Sequence, residues 1–551
     1  MVEEKKIRWP VFLPIAFILV ITALIAVFWP SSYYELQTTI VDFAFNNFGW
    51  LFNFTVLALI FISLFLGFSK YGNIKFGGSE AKPSITKWQW FAISLTAGIG
   101  TGIVFWGLAE PLTFFSEPPE VLGIQPGTEE AAVFSMASSM VHWTLAPYSL
   151  YVMAGIAVAY ACYNMKLPYT INSTLYPLLG DRAFGHLGTF VNILCIFGIA
   201  GGMAAVLGEG VLQIGSGIDY LTGITAGPFM WSVLVVLITV TYVISSYSGL
   251  QKGIRFLSDQ NTKIYLCILA FIIVVGPTSF IFNLGSQSTG YFLSNVLERL
   301  TWTSPMEGSE WPREWPLFHW SIFLAYAPII GMFLARLAYG RTLRQFVIFN
   351  LLLPAGFGML WFWVFGGAAI FYDWQGGNQL WNLIQNEESG LEISLFVFLE
   401  HLPWTGLISL IMLFCIFISF TTIADSITTT VSALTTTGNT FKNPEPLAKV
   451  KIFWGSLLGL LALLTITAGT GGGEITAVDA NKQMATVAGF SILFFIILQV
   501  ISTLKSIIRQ ADYDKTNYPE SAYNNHSYEN KGVNKESYSN TTISNDYGEK
   551  R

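Results

Sequence analysis

Long apolar runs recur along this chain, separated by short polar connections. A helix needs about 20 apolar residues to cross a bilayer core. Stretches of that kind fall at roughly 10–29, 50–69, 88–113, 131–163, 187–214, 228–246, 262–283, 316–337, 343–372, 393–424, 450–469 and 484–506. Their length and lack of strict alternation predict helices rather than strands. The pattern predicts an all-α integral membrane protein with about twelve transmembrane helices. The first run follows Lys5, Lys6 and Arg8, is long for a cleaved leader, and precedes no small-residue cleavage pattern, so it reads as an uncleaved span. Residues 287–300 pattern as a short amphipathic helix on the outer face. Residues 511–551 are rich in Asn, Ser and Tyr, with seven acidic and five basic residues, and read as a disordered cytoplasmic tail.

Basic residues sort across the connections. Alternate loops and the two termini hold 25 of the Lys and Arg side chains, and the other loops hold three: Arg299, Arg313 and Lys482. By the positive-inside rule both termini are cytoplasmic in a multi-pass plasma (inner) membrane protein. Composition agrees: the chain is 53% hydrophobic and 11% charged, with a mean hydropathy of +0.54. Cys162, Cys195, Cys267 and Cys415 lie in apolar segments without metal-ligand or disulfide-framework spacing, so they read as small core residues.

Candidate chemistry sits inside the spans. Gly98-Ile99-Gly100-Thr101-Gly102 lies in the middle of the third. Either it lets helices pack closely, or it is an unwound stretch whose backbone groups face a substrate or ion. In the fourth span Trp143, Tyr148 and Tyr151 share one broad side of a helix that can bend at Pro147. Such rings are commonly packing; well inside a membrane they also suit a quaternary ammonium, whose diffuse charge is drawn to ring faces. Glu110, His142, Glu209, His319 and Asp425 are ionisable groups within spans. Glu110 precedes Pro111 near a helix end, where a structural role fits, and Asp425 closes the tenth span, where capping competes with ion binding. Glu209 stands between two glycines with no basic residue nearby in sequence. The five histidines show no metal-ligand spacing, which argues against an enzyme. Neither a nucleotide-binding domain nor a channel filter motif is evident, and the chain implies no cofactor and no nucleic-acid partner.

These stretches, with Ala109-Glu110-Pro111-Leu112-Thr113, His142-Trp143-Thr144-Leu145, Leu175-Tyr176-Pro177-Leu178, Gly331-Met332-Phe333, Gly340-Arg341-Thr342 and Ala424-Asp425-Ser426, resemble the betaine/carnitine/choline transporter family in their order. The resemblance implies a secondary active transporter of the leucine-transporter type, with two inverted five-helix repeats behind two peripheral helices, and a homotrimer. Its segments would be 1–86 (the N-terminal segment and peripheral helices), 87–285 (first repeat), 286–315 (the external amphipathic segment), 316–508 (second repeat) and 509–551 (tail). It implies a substrate site of Trp143, Tyr148, Tyr151 and Phe323, with Tyr326 as a gate and Gly98, Gly100 and Gly102 alongside. Three tryptophans of the family's eighth span are Ile322, Phe323 and Tyr326 here. Choline-selective members place an Asp in the glycine stretch; its absence favours a zwitterion of the glycine betaine or carnitine class. The family's sodium ligands fall on Gly201, Ala205, Thr422 and Ile423, of which Thr422 alone has a hydroxyl. A hard cation wants about six oxygens, so sodium coupling is in doubt. Glu209, Thr422 and Asp425 are the coupling candidates, with Glu209 as a proton carrier or a replacement for the ion's charge. The alternative is a proton-coupled carrier or exchanger of another small zwitterion or amine, such as an amino acid or choline. The tail also lacks the basic helix by which osmosensing members read anionic lipid.

Overall fold

A computed structural model describes residues 5–99, 102–248, 251–386, 390–437, 446–468 and 477–516. Its main helices are α1 (Trp9–Phe28), α2 (Pro30–Phe68), α3 (Lys87–Ile99), α4 (Gly102–Ser116), α5 (Glu129–Trp143), α6 (Leu145–Ala159), α7 (His186–Thr222) and α8 (Pro228–Ser248). They continue as α9 (Gln251–Val275), α10 (Thr278–Thr301), α11 (Phe318–Arg336), α12 (Leu353–Gln375), α13 (Thr405–Leu434), α14 (Ala448–Ala468) and α15 (Ala477–Ile508). No β-strand occurs among the described residues. The lipid-compatible solution of satisfying the backbone within each helix is thus used throughout.

Nine helices among the described residues are long and apolar enough to cross a membrane, or ten if a bent pair counts as one span. The sequence suggested about twelve; the third stretch is described as α3 and α4, the sixth holds a shorter apolar helix at Pro228–Ile244, and the seventh is the bent pair. The tenth is divided but still supplies one of the nine. In that tenth stretch a short helix, Ser394–Leu399, precedes Pro403, and α13 then runs through Asp425 to Leu434. Asp425 is therefore inside a helix and does not close one. The seventh stretch ends early because Gly276 and Pro277 break the helix. Beyond that break, α10 turns by 107° and carries the 287–300 segment.

At the centre, α6, α7, α11 and α15 pack on one another. Two glycines set how closely. A Cβ at Gly489 on α15 would overlap the backbone of Ser321 on α11, and one at Gly331 on α11 would overlap Ala154 on α6. Around the central helices, α2 begins well before its apolar core, at Pro30, because its polar first turns are held by protein. Tyr33 and Gln37 contact Met484 of α15, and the Gln37 amide also donates to the Tyr33 hydroxyl at 2.9 Å.

At the end where the basic loops gather, cations cap backbone carbonyls. Lys505 Nζ donates to Pro177 O at 2.6 Å, Lys75 Nζ to Ser79 O at 2.8 Å, and Arg341 to Ile85 O. The start of the expected disordered tail is ordered here. Gln510–Tyr513 is a short helix, Asp514 accepts from Asn164 Nδ2 at 2.9 Å, and Lys515 N donates to Asn164 O at 2.8 Å. Residues 517–551 lie outside the described residues.

The Gly489 crossing makes a prediction with a definite sign. In an unconstrained helix Gly→Ala stabilises by about 1 kcal/mol. Gly489→Ala is expected instead to lower the melting temperature in detergent, because overpacking costs about 1–3 kcal/mol. An unchanged or raised melting temperature would refute the crossing.

Candidate functional site

The fourth apolar stretch is where the aromatic rings converge, and a proline determines how. Pro147 has no N–H, and its ring excludes the carbonyl four residues earlier, that of Trp143. The helix is interrupted one residue later, at Thr144 (φ −112°, ψ −99°), dividing α5 from α6. The freed Trp143 carbonyl turns toward α12, where a Cβ on Gly358 would lie 3.1 Å from it. The Thr144 hydroxyl closes the turn by donating to Met140 O at 2.6 Å.

Around this break Trp143, Tyr148 and Tyr151 meet Phe323 of α11. The Trp143 and Phe323 centroids are 5.3 Å apart with an interplanar angle of 82°, Tyr151 and Phe323 are 6.4 Å apart, and Tyr148 and Tyr151 are 6.5 Å apart. All four are buried. These are edge-to-face contacts of the favoured kind. Tyr326, one turn along α11, is also buried, and its hydroxyl donates to the Gly202 carbonyl of α7. Gly102 belongs to the same neighbourhood, since a Cβ there would stand 2.6 Å from the Trp143 ring. Gly98 lies in α3, and Gly100 falls outside the described residues.

Behind Trp143 is a polar cluster that sequence spacing did not show. The Glu110 carboxylate on α4 is fully buried; its Oε1 accepts from Trp143 Nε1 at 3.0 Å and lies 2.6 Å from His319 Nε2. Its Oε2 is 3.4 Å from His142 Nδ1. The two imidazoles stack with centroids 4.5 Å apart and 10° between planes. The histidines, read from sequence as showing no constellation, therefore do form one with an acid. Ligand atoms of the three residues lie within 4.8 Å of one another, as a metal would require. Yet two donors on one tetrahedral zinc stay about 3.3 Å apart, from bond lengths near 2 Å. The 2.6 Å contact between His319 and Glu110 is closer than that, so this arrangement does not fit a zinc ion held by both.

The coupling candidates lie on two helices, Glu209 on α7 and Thr422 and Asp425 on α13. Glu209 on α7 is buried and lines a cavity of about 10 Å³ with Trp106, Asn481 and Lys482, room for about one water. Lys482, placed by the charge count in an outer loop, is inside α15. Its ammonium lies 4.4 Å from the Trp315 centroid and 5.5 Å from those of Trp106 and Phe318. Glu209 is thus close in space to a base that is far away in sequence. Thr422 donates to Ile418 O at 2.8 Å, and Asp425 lies three residues further along the same helix.

A multi-span helical chain whose broken span brings buried aromatic rings together beside a buried acid is organised as a membrane carrier for a small solute. The chain matches the family described as BCCT, betaine/carnitine/choline family transporter, over residues 10–512, and it belongs to that family. A protein of Desulfitobacterium hafniense named as a probable glycine betaine transporter is 33% identical over 88% of this chain and 95% of its own length. The glycine betaine transporter OpuD of Bacillus subtilis is 31% identical over 88% of this chain and 92% of its own. The ectoine/hydroxyectoine transporter of Virgibacillus pantothenticus is 28% identical over 93% of this chain and 100% of its own.

Tyr326→Phe keeps the ring and removes the bond to Gly202, so it should cost about 1 kcal/mol of stability. A thermal melt of the detergent-purified protein measures this. A melting temperature equal to that of the unaltered chain would show that the contact does not tie α11 to α7.

Proposed function

We propose that this protein moves betaine-like zwitterions across the plasma membrane as a secondary transporter, by alternating access and without requiring sodium. The observation that carries the substrate class is the buried convergence of Trp143, Tyr148, Tyr151 and Phe323, which can offer ring faces to a quaternary ammonium. In the conformation described, Trp143 and Phe323 touch edge to face, so a bound cation requires them to part. The alternating elements would be the repeats 87–285 and 316–508, in a homotrimer with both termini cytoplasmic. The gathering of Lys75, Arg341 and Lys505 at one end supports that orientation.

The case against sodium rests on packing as well as on missing hydroxyls. A Cβ at Gly201 would stand 2.7 Å from Ala488 Cβ, so this face of α7 serves contact with α15. Glu209 and Lys482, with room for a water between their helices, supply a charge pair within the protein. Glu209 thereby acts as charge balance, and Thr422 and Asp425 are auxiliary. Among small zwitterions, the names of the relatives favour glycine betaine first and ectoine second.

The test is accumulation of labelled glycine betaine in proteoliposomes, with an inward sodium gradient imposed and then omitted. Uptake is expected in both conditions. The carbon isostere 3,3-dimethylbutanoate, which keeps the carboxylate but lacks the ammonium charge, should compete at least tenfold less well than glycine betaine, since ring–cation attraction is worth about 2 kcal/mol when desolvated. Equal competition would remove the ring–cation argument, and strict dependence on sodium would overturn the coupling proposal.

A further inference from the structure

A cation is drawn to the negative face of an indole and repelled by its positive edge. The orientation of Trp143 therefore matters to the proposed site as much as its presence. Its own helix does little to fix that orientation. Trp143 is the last residue of α5, and the chain leaves helical geometry at Thr144. The ring is held instead by α4, at two points.

At one end of the indole, Nε1 donates to Glu110 Oε1 at 3.0 Å. Indole has one donor and no acceptor, so this bond uses all of its polar capacity. At the other end, Cη2 and Cζ3 lie over Gly102, where a Cβ would stand 2.6 and 3.0 Å from them. Glu110 and Gly102 are on the same helix, about 12 Å apart along its axis at the rise of an α-helix. Helical side chains lean toward the N-terminus, which brings the Glu110 carboxylate back toward Gly102. His142 Nδ1, 3.4 Å from Oε2, steadies the carboxylate from the far side. Held in this way, the ring meets Phe323 and His319 of α11 nearly edge to face, each with a centroid separation of 5.3 Å.

From this two-point seat we infer that Glu110 is a positioning residue: its acceptor oxygen holds the Trp143 face toward the cationic head of the substrate without touching the substrate itself. The inference rests on the betaine-class reading of the site. The oxygen that meets Nε1 is what the seat requires. An amide therefore stands in for the carboxylate, and a side chain of like length without an acceptor does not. The seat also ties the ring to α4. Parting of the rings on substrate entry then falls to Phe323, which no polar bond anchors.

The experiment measures the dissociation constant of labelled glycine betaine with the full chain in lipid nanodiscs. Glu110→Gln keeps an acceptor and should hold affinity within about fivefold, because a neutral acceptor makes a weaker bond than a charged one. Glu110→Met has no acceptor and should weaken binding about tenfold or more. In a Trp143→Phe background, which lacks the indole donor, the same Glu110→Met change should alter affinity by no more than about twofold, since the two positions are then uncoupled. A general loosening of the fold would weaken both backgrounds alike. Magnetic resonance of the chain with isotope-labelled tryptophan reads the bond without substrate. The Trp143 Nε1–H signal is the one lost in Trp143→Phe or Trp143→Tyr, and it should move upfield in Glu110→Gln as the bond weakens. A Gln variant as weak as the Met variant, a Met variant of unaltered affinity, an equal Met penalty in both backgrounds, or an unmoved signal would overturn the inference. Should Glu110→Met fail to fold or Trp143→Phe fail to bind, the signal decides alone. If the signal moves but no betaine binds the unaltered chain, the substrate reading fails and the seat on α4 stands.

Discussion

A carboxylate sealed from water inside a membrane protein must find every partner it needs in the protein itself. Glu110 is in that position, and its partners come from two other helices: Trp143 and His142 from α5, and His319 from α11. Removing one partner of such a group leaves an uncompensated buried charge, which costs about 3–5 kcal/mol. The cluster therefore sets the placement of α4, α5 and α11 more firmly than apolar packing would, since packing tolerates small slides. Two rings of the proposed substrate site, Trp143 and Phe323, ride on two of these helices. Their geometry depends on a group that makes no claim to touch the substrate.

The aromatic site uses a different kind of contact. Edge-to-face rings gain about 0.5–1.5 kcal/mol beyond their buried area, an amount that a bound cation can replace. Such contacts hold a site shut without making it costly to open. Trp143 belongs to both systems: its ring meets Phe323, while its N–H is committed to Glu110. Phe323 has no polar atom to anchor it and is the freer of the two. Tyr326 brings a hydroxyl that ties α11 to α7.

What could be read from the chain divides along the same lines. Local periodicity and composition carried the membrane class, the aromatic side of the fourth span and the break near Pro147, because each depends on residues within a few turns. The Glu110 cluster was not legible. Each member has an ordinary explanation alone, and the fold brings His142 and His319 together from spans that are distant in sequence. The same holds for Lys482, which looked like a loop residue until α15 was seen to extend around it, and for Asp514, held by Asn164. Span boundaries failed where a break is short: Gly276-Pro277 interrupts a stretch whose hydropathy dips little, and the break at Pro403 follows Glu400 and His401 inside a long apolar run.

The Gly201 face of α7 is a packing surface: a Cβ there would stand 2.7 Å from that of Ala488, so α7 and α15 approach closely. That closeness also brings Lys482 of α15 toward Glu209 of α7, and the ammonium settles against Trp315, Trp106 and Phe318. A fixed cation on a side chain does part of what a bound ion would do, since it balances an acid within the membrane, but it cannot leave with the substrate. The proposed independence from sodium rests on that internal balance.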